Sequence, residues 1–437
     1  MNIPDLSNRP VKGTENNLQP EDRPFHNWYR FVLSFPPTLV RDYLARFNAN
    51  SGTVVLDPFC GTGTTIVETK LMGVPGVGVE ANPFPCFASR VKVDWDVSPD
   101  LLEEFAEEIA EKTYQALEIQ GIDDKVSIIE PGMVLRTLPA TMEKALIRDS
   151  ISPLPLHKTL VLLDQLYERK ETKQYQYGLL ALGKALVSAI GNLRFGPEVG
   201  IGKKKEDVQV VGNWITEIRR MVRDIRSING NNYPKAIIHQ GDSRKIASVL
   251  PNESIDIVIT SPPYPNEKDY TRTTRLESVL LGFYGDGTQL KEYKKELVRS
   301  NTRGVYTTDD DEKWVEHNKE VQQIAREIES RRIILGKTSG FEKLYSRVTR
   351  LYFGGMTRHL SELSKVLKPG AQLAYVVGDQ ASYLRIMIKT GSLLANIAQG
   401  LGYIIEDIEL FRTRFSTATK NELREEVVIL RWPGRKG

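Results

Sequence analysis

One stretch near the start of the chain constrains the fold more than any other. A buried strand, a glycine loop, a helix and a second buried strand are predicted there, over residues 53–57, 58–63, 64–72 and 76–80. The helix is expected to stop where a glycine follows its last apolar residues. A strand–loop–helix–strand unit of this length predicts a doubly wound α/β sheet, with ligands bound at the carboxyl ends of its strands.

The same α/β pattern returns twice further along the chain. Strands are predicted over residues 236–239, 255–260, 372–377, 403–410 and 426–431. Between them the pattern is helical. We therefore predict one core built from residues 1–98, 233–271 and 351–437, a helical insertion over residues 99–232 and a second over residues 272–350.

The glycine loop predicts a ligand site, because small residues admit a ligand to backbone amides at a helix N-terminus. A phosphate-binding loop requires Gly-Lys-Ser/Thr, whereas Gly63 is followed by two threonines, and a dinucleotide site favours a third glycine where this chain has Ile66. S-adenosylmethionine suits the remaining pattern. Its cationic groups favour a carboxylate such as Asp57, and its ribose hydroxyls favour an acid such as Glu80. A later strand, predicted to end at Asp242, offers a carboxylate for the adenine amino group.

A second motif, Ser261-Pro262-Pro263-Tyr264, follows the strand predicted over residues 255–260. Neither proline donates an N–H, so the stiff backbone presents carbonyl acceptors. Ser261 and the Pro262 carbonyl are expected to hold the two hydrogens of an exocyclic amine and direct its nitrogen at a methyl sulfonium. Tyr264 is expected to stack on a base that has left the duplex. Catalysis then depends on orientation, by direct in-line transfer.

Residues 57–65 together with residues 260–264 resemble the amino-methyltransferases of DNA. They are most similar to the cytosine-N4 branch, in which serine commonly precedes the two prolines. The segment from His26 to Phe47 resembles the helix that precedes the glycine loop in that family. The resemblance covers the α/β parts and neither insertion. It implies a Rossmann-like, seven-stranded core, S-adenosylmethionine as methyl donor, no metal, and double-stranded DNA as partner.

The family's roles are carried over to the matching positions. Catalysis is assigned to Ser261, Pro262, Pro263 and Tyr264, and donor binding to Asp57, Phe59, Gly61, Gly63, Thr65, Glu80, Asp242 and Thr260. The predicted function is site-specific methylation of the N4 amine of cytosine in duplex DNA. Protection of host DNA is the common role in the family that it resembles, and whether a restriction or phage-defence partner accompanies this protein stays open. Adenine-N6 methylation of DNA, or base-amine methylation of RNA, stays open because the serine preference has exceptions. A non-catalytic DNA-binding subunit with the same fold is the alternative from another class.

Clustered basic residues predict where DNA phosphates would touch. They lie in both insertions: Arg194, Lys203, Lys204, Lys205, Arg219, Arg220 and Arg223 in the first, and Arg299, Arg303, Arg331 and Arg332 in the second. The first insertion is the candidate target-recognition region, and the second is a candidate DNA contact. The acidic run at residues 309–311 is expected to be an exposed loop.

Composition excludes several other classes. The 437 residues suffice for about two or three domains, and 59 Lys+Arg against 56 Asp+Glu give a net charge of +3, which neither demands nor forbids nucleic acid. No apolar run is long enough to span a bilayer and no signal peptide is evident, so a cytoplasmic, DNA-associated protein is expected. Two cysteines cannot form a disulfide framework. Pro85-Cys86 resembles the nucleophile of cytosine-C5 enzymes. That thiolate is needed at the strand end where this chain has Ser-Pro-Pro-Tyr, whereas Cys86 is predicted near a helix start, so it is expected to be structural.

Overall fold

The computed structural model describes residues 18–31, 34–125, 133–196, 198–228, 230–266, 268–415 and 422–435. The strands in this part of the chain are β1 (Val55–Asp57), β2 (Gly76–Glu80), β3 (Leu193–Arg194), β4 (Gly200–Ile201), β5 (Ala236–Gln240), β6 (Ile255–Thr260), β7 (Leu367–Gly378), β8 (Ile404–Phe415) and β9 (Glu422–Arg431). All except the small β3–β4 hairpin join one seven-stranded sheet. The predicted Rossmann-like α/β core is thereby confirmed.

The strand order in the sheet is β5-β2-β1-β6-β7-β9-β8. Strands β5, β2, β1, β6 and β7 are parallel, and β9 is inserted antiparallel between β7 and β8. The order changes direction at β1, which lies between β2 on one side and β6 on the other. In an open parallel sheet such a point opens a crevice at the carboxyl ends of the strands.

The helices in the described residues are α1 (Pro37–Arg46), α2 (Thr64–Leu71), α3 (Pro83–Val93), α4 (Pro99–Glu118), α5 (Ala140–Ala145), α6 (Pro153–Tyr167), α7 (Gln174–Ala185), α8 (Val210–Ile228), α9 (Tyr270–Thr273), α10 (Arg275–Leu280), α11 (Gly287–Lys295), α12 (Lys319–Ile334), α13 (Tyr345–Val366) and α14 (Thr390–Gly400). Short 3-10 turns connect several of them, and one π-turn at Leu186–Ile190 extends α7. None of the helices described here is both long and apolar enough to cross a membrane.

Two helical insertions interrupt the sheet, as predicted. Helices α4 to α8 lie between β2 and β5, and α9 to α12 lie between β6 and β7, followed by α13, which leads into β7. Helices α4, α6, α7 and α8 bury their apolar faces in one core, which the N-terminal residues Phe25 and Trp28 join. The indole of Trp28 donates to Asp224 on α8 over 2.8 Å. The N-terminal segment therefore ties the first insertion to the glycine loop that follows it.

The sheet is covered on both faces, which explains the near-continuous apolar runs in its strands. One face packs against α13 and α14 through residues such as Phe353 and Leu394. The other packs against α1 through Val40 and Leu44. The bounds predicted for the second insertion, residues 272 and 350, fall inside helices α9 and α13 and not in loops between elements.

The acidic run at residues 309–311 was expected to be an exposed loop, and this expectation is wrong for two of its three members. Asp311 is buried and pairs with Arg244 and Arg358. Asp309 pairs with the buried Arg299 over 2.8 Å. Gly354 on α13 makes this packing possible, since a Cβ there would lie 1.9 Å from the Asp311 carbonyl oxygen. The run closes the second insertion onto the core.

Candidate active site

A cleft of about 890 Å³ opens at the carboxyl ends of β1, β2 and β6. Its walls bring both sequence motifs into one cavity. The lining residues that were predicted for the site are Phe59, Gly61, Glu80, Ser261, Pro262, Pro263 and Tyr264. The other predicted donor-binding residues, Asp57, Gly63, Thr65, Asp242 and Thr260, lie next to the cleft and are not part of its wall.

The glycine loop turns sharply because two of its residues adopt left-handed backbone conformations. Gly61 has φ +53° and Gly63 has φ +82°. Such angles disfavour residues with a Cβ. At Gly63 a Cβ would also lie 3.2 Å from the Ser89 side chain on α3. The loop thus leads the chain directly into α2, which begins at Thr64.

Helix α3 supports this loop from behind, a role that was not predicted. Ser89 donates to the Gly61 carbonyl over 2.7 Å, and Lys92 Nζ donates to the Thr62 carbonyl over 2.6 Å. Lys92 is completely buried, and this burial lowers its pKa to about 7. Both contacts hold loop carbonyls away from the cleft. The sequence signal for this support is the spacing of Ser89 and Lys92, which lie three positions apart in the helix that follows Asn82-Pro83.

Glu80 ends β2 on the wall of the cleft. Its carboxylate accepts from the Gly61 amide and from the Asn82 amide, each over 2.8 Å. Burial raises the pKa of Glu80 to about 7. This effect outweighs the two hydrogen bonds, which lower the same pKa. Two amides leave lone pairs on both oxygens, so the carboxylate can still accept from ligand hydroxyls.

Asp57 links the two motifs below the floor of the cleft. Its Oδ1 accepts from the Thr260 hydroxyl over 2.6 Å and from the Phe59 amide over 3.1 Å. Because β1 and β6 are adjacent parallel strands, this contact joins the strand before the glycine loop to the strand before Ser261. Burial raises the Asp57 pKa to about 6. Thr65 donates to the Ile259 carbonyl over 3.2 Å and strengthens the same junction.

Residues 261–264 follow β6 outside regular secondary structure and line the cleft. The Tyr264 amide donates to the hydroxyl of Tyr270 over 3.2 Å, which fixes the exit of the segment. Burial raises the pKa of the Tyr264 hydroxyl, so the side chain stays neutral. The end of β7 faces the ring of Tyr264, since a Cβ on Gly378 would lie 2.9 Å from its Cε2 atom.

Asp242 occupies a different position from the one predicted. The strand β5 ends at Gln240 and not at Asp242, which instead precedes a short 3-10 turn. Its two carboxylate oxygens accept from Arg244, with contacts of 2.9 Å from Nε to Oδ1 and 2.8 Å from Nη2 to Oδ2. The neighbours Gly241 and Ser243 reach the cleft in its place.

Aromatic residues from the N-terminal segment form a further part of the cleft wall. Tyr29, Phe31 and Phe35 line the cleft, and a Cβ on Gly61 would lie 3.7 Å from the Phe31 ring. The Tyr29 hydroxyl donates to the buried Glu277 on α10, and burial raises the pKa of that carboxyl to about 8. The aromatic run beginning at His26 was the signal for this wall, although sequence reasoning read it only as part of the helix before the loop.

The basic clusters predicted to meet DNA are placed unequally. Arg299 is buried against Asp309, and Lys205 donates to the carbonyls of Ala189 and Gly191. Arg219 and Arg223 on α8 are exposed. Other members of these clusters are exposed as well, namely Arg194, Lys203, Lys204, Arg303 and Arg331. Arg299 and Lys205, in contrast, stabilise the fold.

The two cysteines have no feature of a nucleophile. Burial raises the pKa of Cys86 to about 12 and that of Cys60 well above its usual range. A nucleophilic cysteine needs the opposite shift, toward the thiolate. In the described ranges no group of three or more His, Cys, Asp or Glu side chains is arranged to hold a metal ion.

Comparison with known proteins gives matches at both the motif and the whole-chain level. Residues 7–88 match a family model for N6/N4 DNA methylases, described as DNA methylase. The type II methyltransferase M.BsoBI of Geobacillus stearothermophilus is 24% identical over 88% of this chain and 79% of its own. M.AvaI of Nostoc is 22% identical over 94% of this chain and 87% of its own. M.MjaII of Methanocaldococcus jannaschii is 37% identical over 16% of this chain and 13% of its own. These similarities support a methyltransferase related to the DNA methylases.

Proposed function

We propose that this protein transfers a methyl group from S-adenosylmethionine to the exocyclic N4 amine of cytosine in duplex DNA. The single observation that carries the proposal is the meeting of the glycine loop, Glu80 and residues 261–264 in one cleft. The contact of Thr260 with Asp57 supports the proposal further, since it fixes the two motifs relative to each other. A donor and an amine held on adjacent strand ends need only be aligned for the methyl group to pass.

The walls of the cleft have the chemistry that the donor requires. S-adenosylmethionine combines a flat base, ribose hydroxyls and a positively charged sulfonium. The aromatic rings of Phe31 and Phe59 offer apolar surface, and the Glu80 carboxylate offers acceptors for the hydroxyls. Asp57 lies below the floor with its pKa near 6, so in neutral solution it adds negative charge beneath the donor. The tight turn at Gly61 and Gly63 leaves room for the donor to approach the backbone.

The proposed role of residues 261–264 is to hold the target amine. Ser261 and the Pro262 carbonyl would accept its two hydrogens, and Pro263 would keep the segment rigid. The nitrogen lone pair would then point at the methyl carbon. As the new nitrogen–carbon bond forms and the sulfur–carbon bond breaks, the sulfonium becomes a neutral thioether, and the amine gives up one proton to the solvent. Tyr264, neutral and supported by Gly378, would stack on the base.

Duplex DNA is the proposed substrate because the relatives at whole-chain coverage are type II methyltransferases. We extend the same argument to biological role, in which methylation protects host DNA beside a restriction or defence enzyme. The exposed arginines of α8, Arg219 and Arg223, are proposed to contact phosphates. The base must leave the helix to enter the cleft.

Nucleoside mass spectrometry tests the proposal directly. The purified protein is incubated with genomic DNA and S-adenosylmethionine carrying an isotopically labelled methyl group. Labelled 4-methylcytosine is the expected product. Labelled 6-methyladenine would keep the mechanism and refute the choice of base. Donor binding by calorimetry without any labelled DNA base would refute DNA methylation by this chain alone, and the same assay on RNA would then follow.

A further inference from the structure

The C-terminal hairpin of β8 and β9 places a charged cluster at the catalytic end of the cleft. Arg412 and Arg414 on β8 and Glu425 on β9 line it beside Tyr264. Arg414 Nε lies 2.8 Å from Oε1 of Glu425, and Arg412 Nε donates to Oε2 of the same carboxylate. Because Glu425 is buried, it holds both guanidiniums in defined positions.

Arg414 retains an unused donor next to the residues that would hold the amine. Its Nη2 atom is shielded from solvent and has no hydrogen-bond partner within the described ranges. A Cβ on Gly378 would lie 2.9 Å from Cε2 of Tyr264 and 3.4 Å from Nη2 of Arg414. The ring and the guanidinium thus border the same small space. Buried donors in native proteins generally have a partner, so this space calls for an acceptor from a ligand.

The position of the guanidinium favours a base edge over a phosphate. Glu425 pairs with both Arg412 and Arg414 and so offsets one of their two positive charges. Nη2 of Arg414 and the Tyr264 ring both lie beside the same position at Gly378. A base stacked on Tyr264 would present its edge, and not its phosphate, to the side of the ring.

The edge of cytosine has the pattern that an arginine can match. Beside its N4 amine, cytosine carries two adjacent acceptors, the N3 nitrogen and the O2 oxygen. On the corresponding Watson–Crick edge, adenine carries one acceptor, N1, beside its N6 amine; its N7 acceptor lies on the other edge. A guanidinium is planar and offers parallel donors in a fixed geometry. Nε of Arg414 lies beside Glu425 without a hydrogen bond to it, and Nη2 has no partner in the described residues, so the guanidinium keeps donors for such a pair.

We propose that Arg414 recognises the N3 and O2 acceptors of the flipped cytosine while Ser261 and the Pro262 carbonyl hold its amine. This inference rests on the proposed function and adds to it the residue that distinguishes cytosine from adenine. It divides the base edge between two elements: the segment after β6 accepts from the amine, and β8 donates to the ring. Glu425 is the positioning residue for the arginine.

The test compares the wild type with Arg414→Gln and Arg414→Lys under single-turnover conditions on genomic DNA, with labelled 4-methylcytosine as the readout. Donor affinity is measured by calorimetry, and DNA affinity is measured over a range of salt concentrations. Both substitutions are expected to slow transfer by about 10- to 100-fold at saturating DNA, the usual consequence of losing a bidentate base contact. Donor affinity and the salt slope of DNA binding are expected to stay unchanged.

Arg431→Gln is the matched control, because Arg431 forms a cross-strand pair with Glu406 on the same hairpin, over 2.7 Å, away from the cleft. It is expected to transfer methyl groups at the wild-type rate. A normal rate in Arg414→Gln would overturn the inference. If Arg414 contacts a phosphate instead, the salt slope of DNA binding would be smaller by about one in Arg414→Gln, and its rate would return to the wild-type value at saturating DNA. Arg414→Lys would then transfer at the wild-type rate. These results would overturn the inference. Absence of labelled 4-methylcytosine with the wild type would overturn the proposed function itself and this inference with it.

Discussion

Gly378→Ala is expected to slow methyl transfer without weakening donor binding. The added Cβ would lie 2.9 Å from Cε2 of Tyr264 and 3.3 Å from Cγ of Glu425. Carbon atoms in contact normally lie about 3.5–4.0 Å apart, so the Tyr264 ring must move by roughly 0.6 Å or more. A displacement of about 1 Å at a reacting centre costs on the order of 100-fold in rate, which makes a loss of about 10-fold the expected result here. The overpacking should also cost about 1–3 kcal/mol of stability.

The assay is single-turnover transfer of a labelled methyl group to genomic DNA, with donor affinity measured by calorimetry on the same samples. Gly400→Ala at the end of α14 is the control, since a Cβ there meets nothing within 4 Å. A rate for Gly378→Ala equal to that of the control would refute the placement of Tyr264 at the reacting base. If Gly378→Ala lost donor affinity to the same extent as rate, the donor and the base would not occupy separate parts of the cleft.

Three further predictions concern the polar groups of the cleft. Ser261→Ala is expected to lower the single-turnover rate by about 100-fold or more, since it removes one acceptor for the amine. Its donor affinity, measured by calorimetry, is expected to stay unchanged. Full activity in this variant would exclude Ser261 as an acceptor for the amine. Glu80→Gln is expected to weaken donor binding by roughly 10- to 100-fold, because hydrogen bonds to a charged group contribute about 1.5–3 kcal/mol, and an unchanged affinity would remove Glu80 from the donor site. Since burial raises the Glu80 pKa to about 7 and the donor needs the carboxylate form, donor affinity should fall by about tenfold per pH unit below that pKa. Calorimetry between pH 8 and pH 6 checks this, and a flat profile in the wild type would contradict it.

Much of the fold was predictable because local patterns decide it. The strand before Asp57, the glycine loop and the helix after it were predicted within one or two residues, since apolar runs and glycines act within a few positions of themselves. The insertion helices were predicted from their apolar spacing for the same reason. The position of β9 between β7 and β8 was not predicted. Strand order depends on pairing between distant segments, which a single sequence does not display.

The candidate site divides in the same way. The residues that carry chemistry stand in short motifs, so the sequence alone identified Glu80 and Ser261 as candidates for one site. Asp242 shows the limit: its neighbour two positions on, Arg244, takes both carboxylate oxygens, and only side-chain packing reveals this. The support of the glycine loop by Lys92 likewise depends on a contact across 30 residues.

The sequence by itself thus determined the class of fold, the two motifs and the chemistry that they suggest, because each of these depends on patterns within short stretches of neighbouring residues. Only the tertiary structure decided which groups meet. It brought the Thr260 hydroxyl to Asp57 across 203 residues of sequence. It also placed Arg414 of β8 beside Tyr264, which follows β6. The physical reason is that hydrogen bonds and ion pairs act over a few ångströms in space. Proximity in space is set by the packing of the whole sheet.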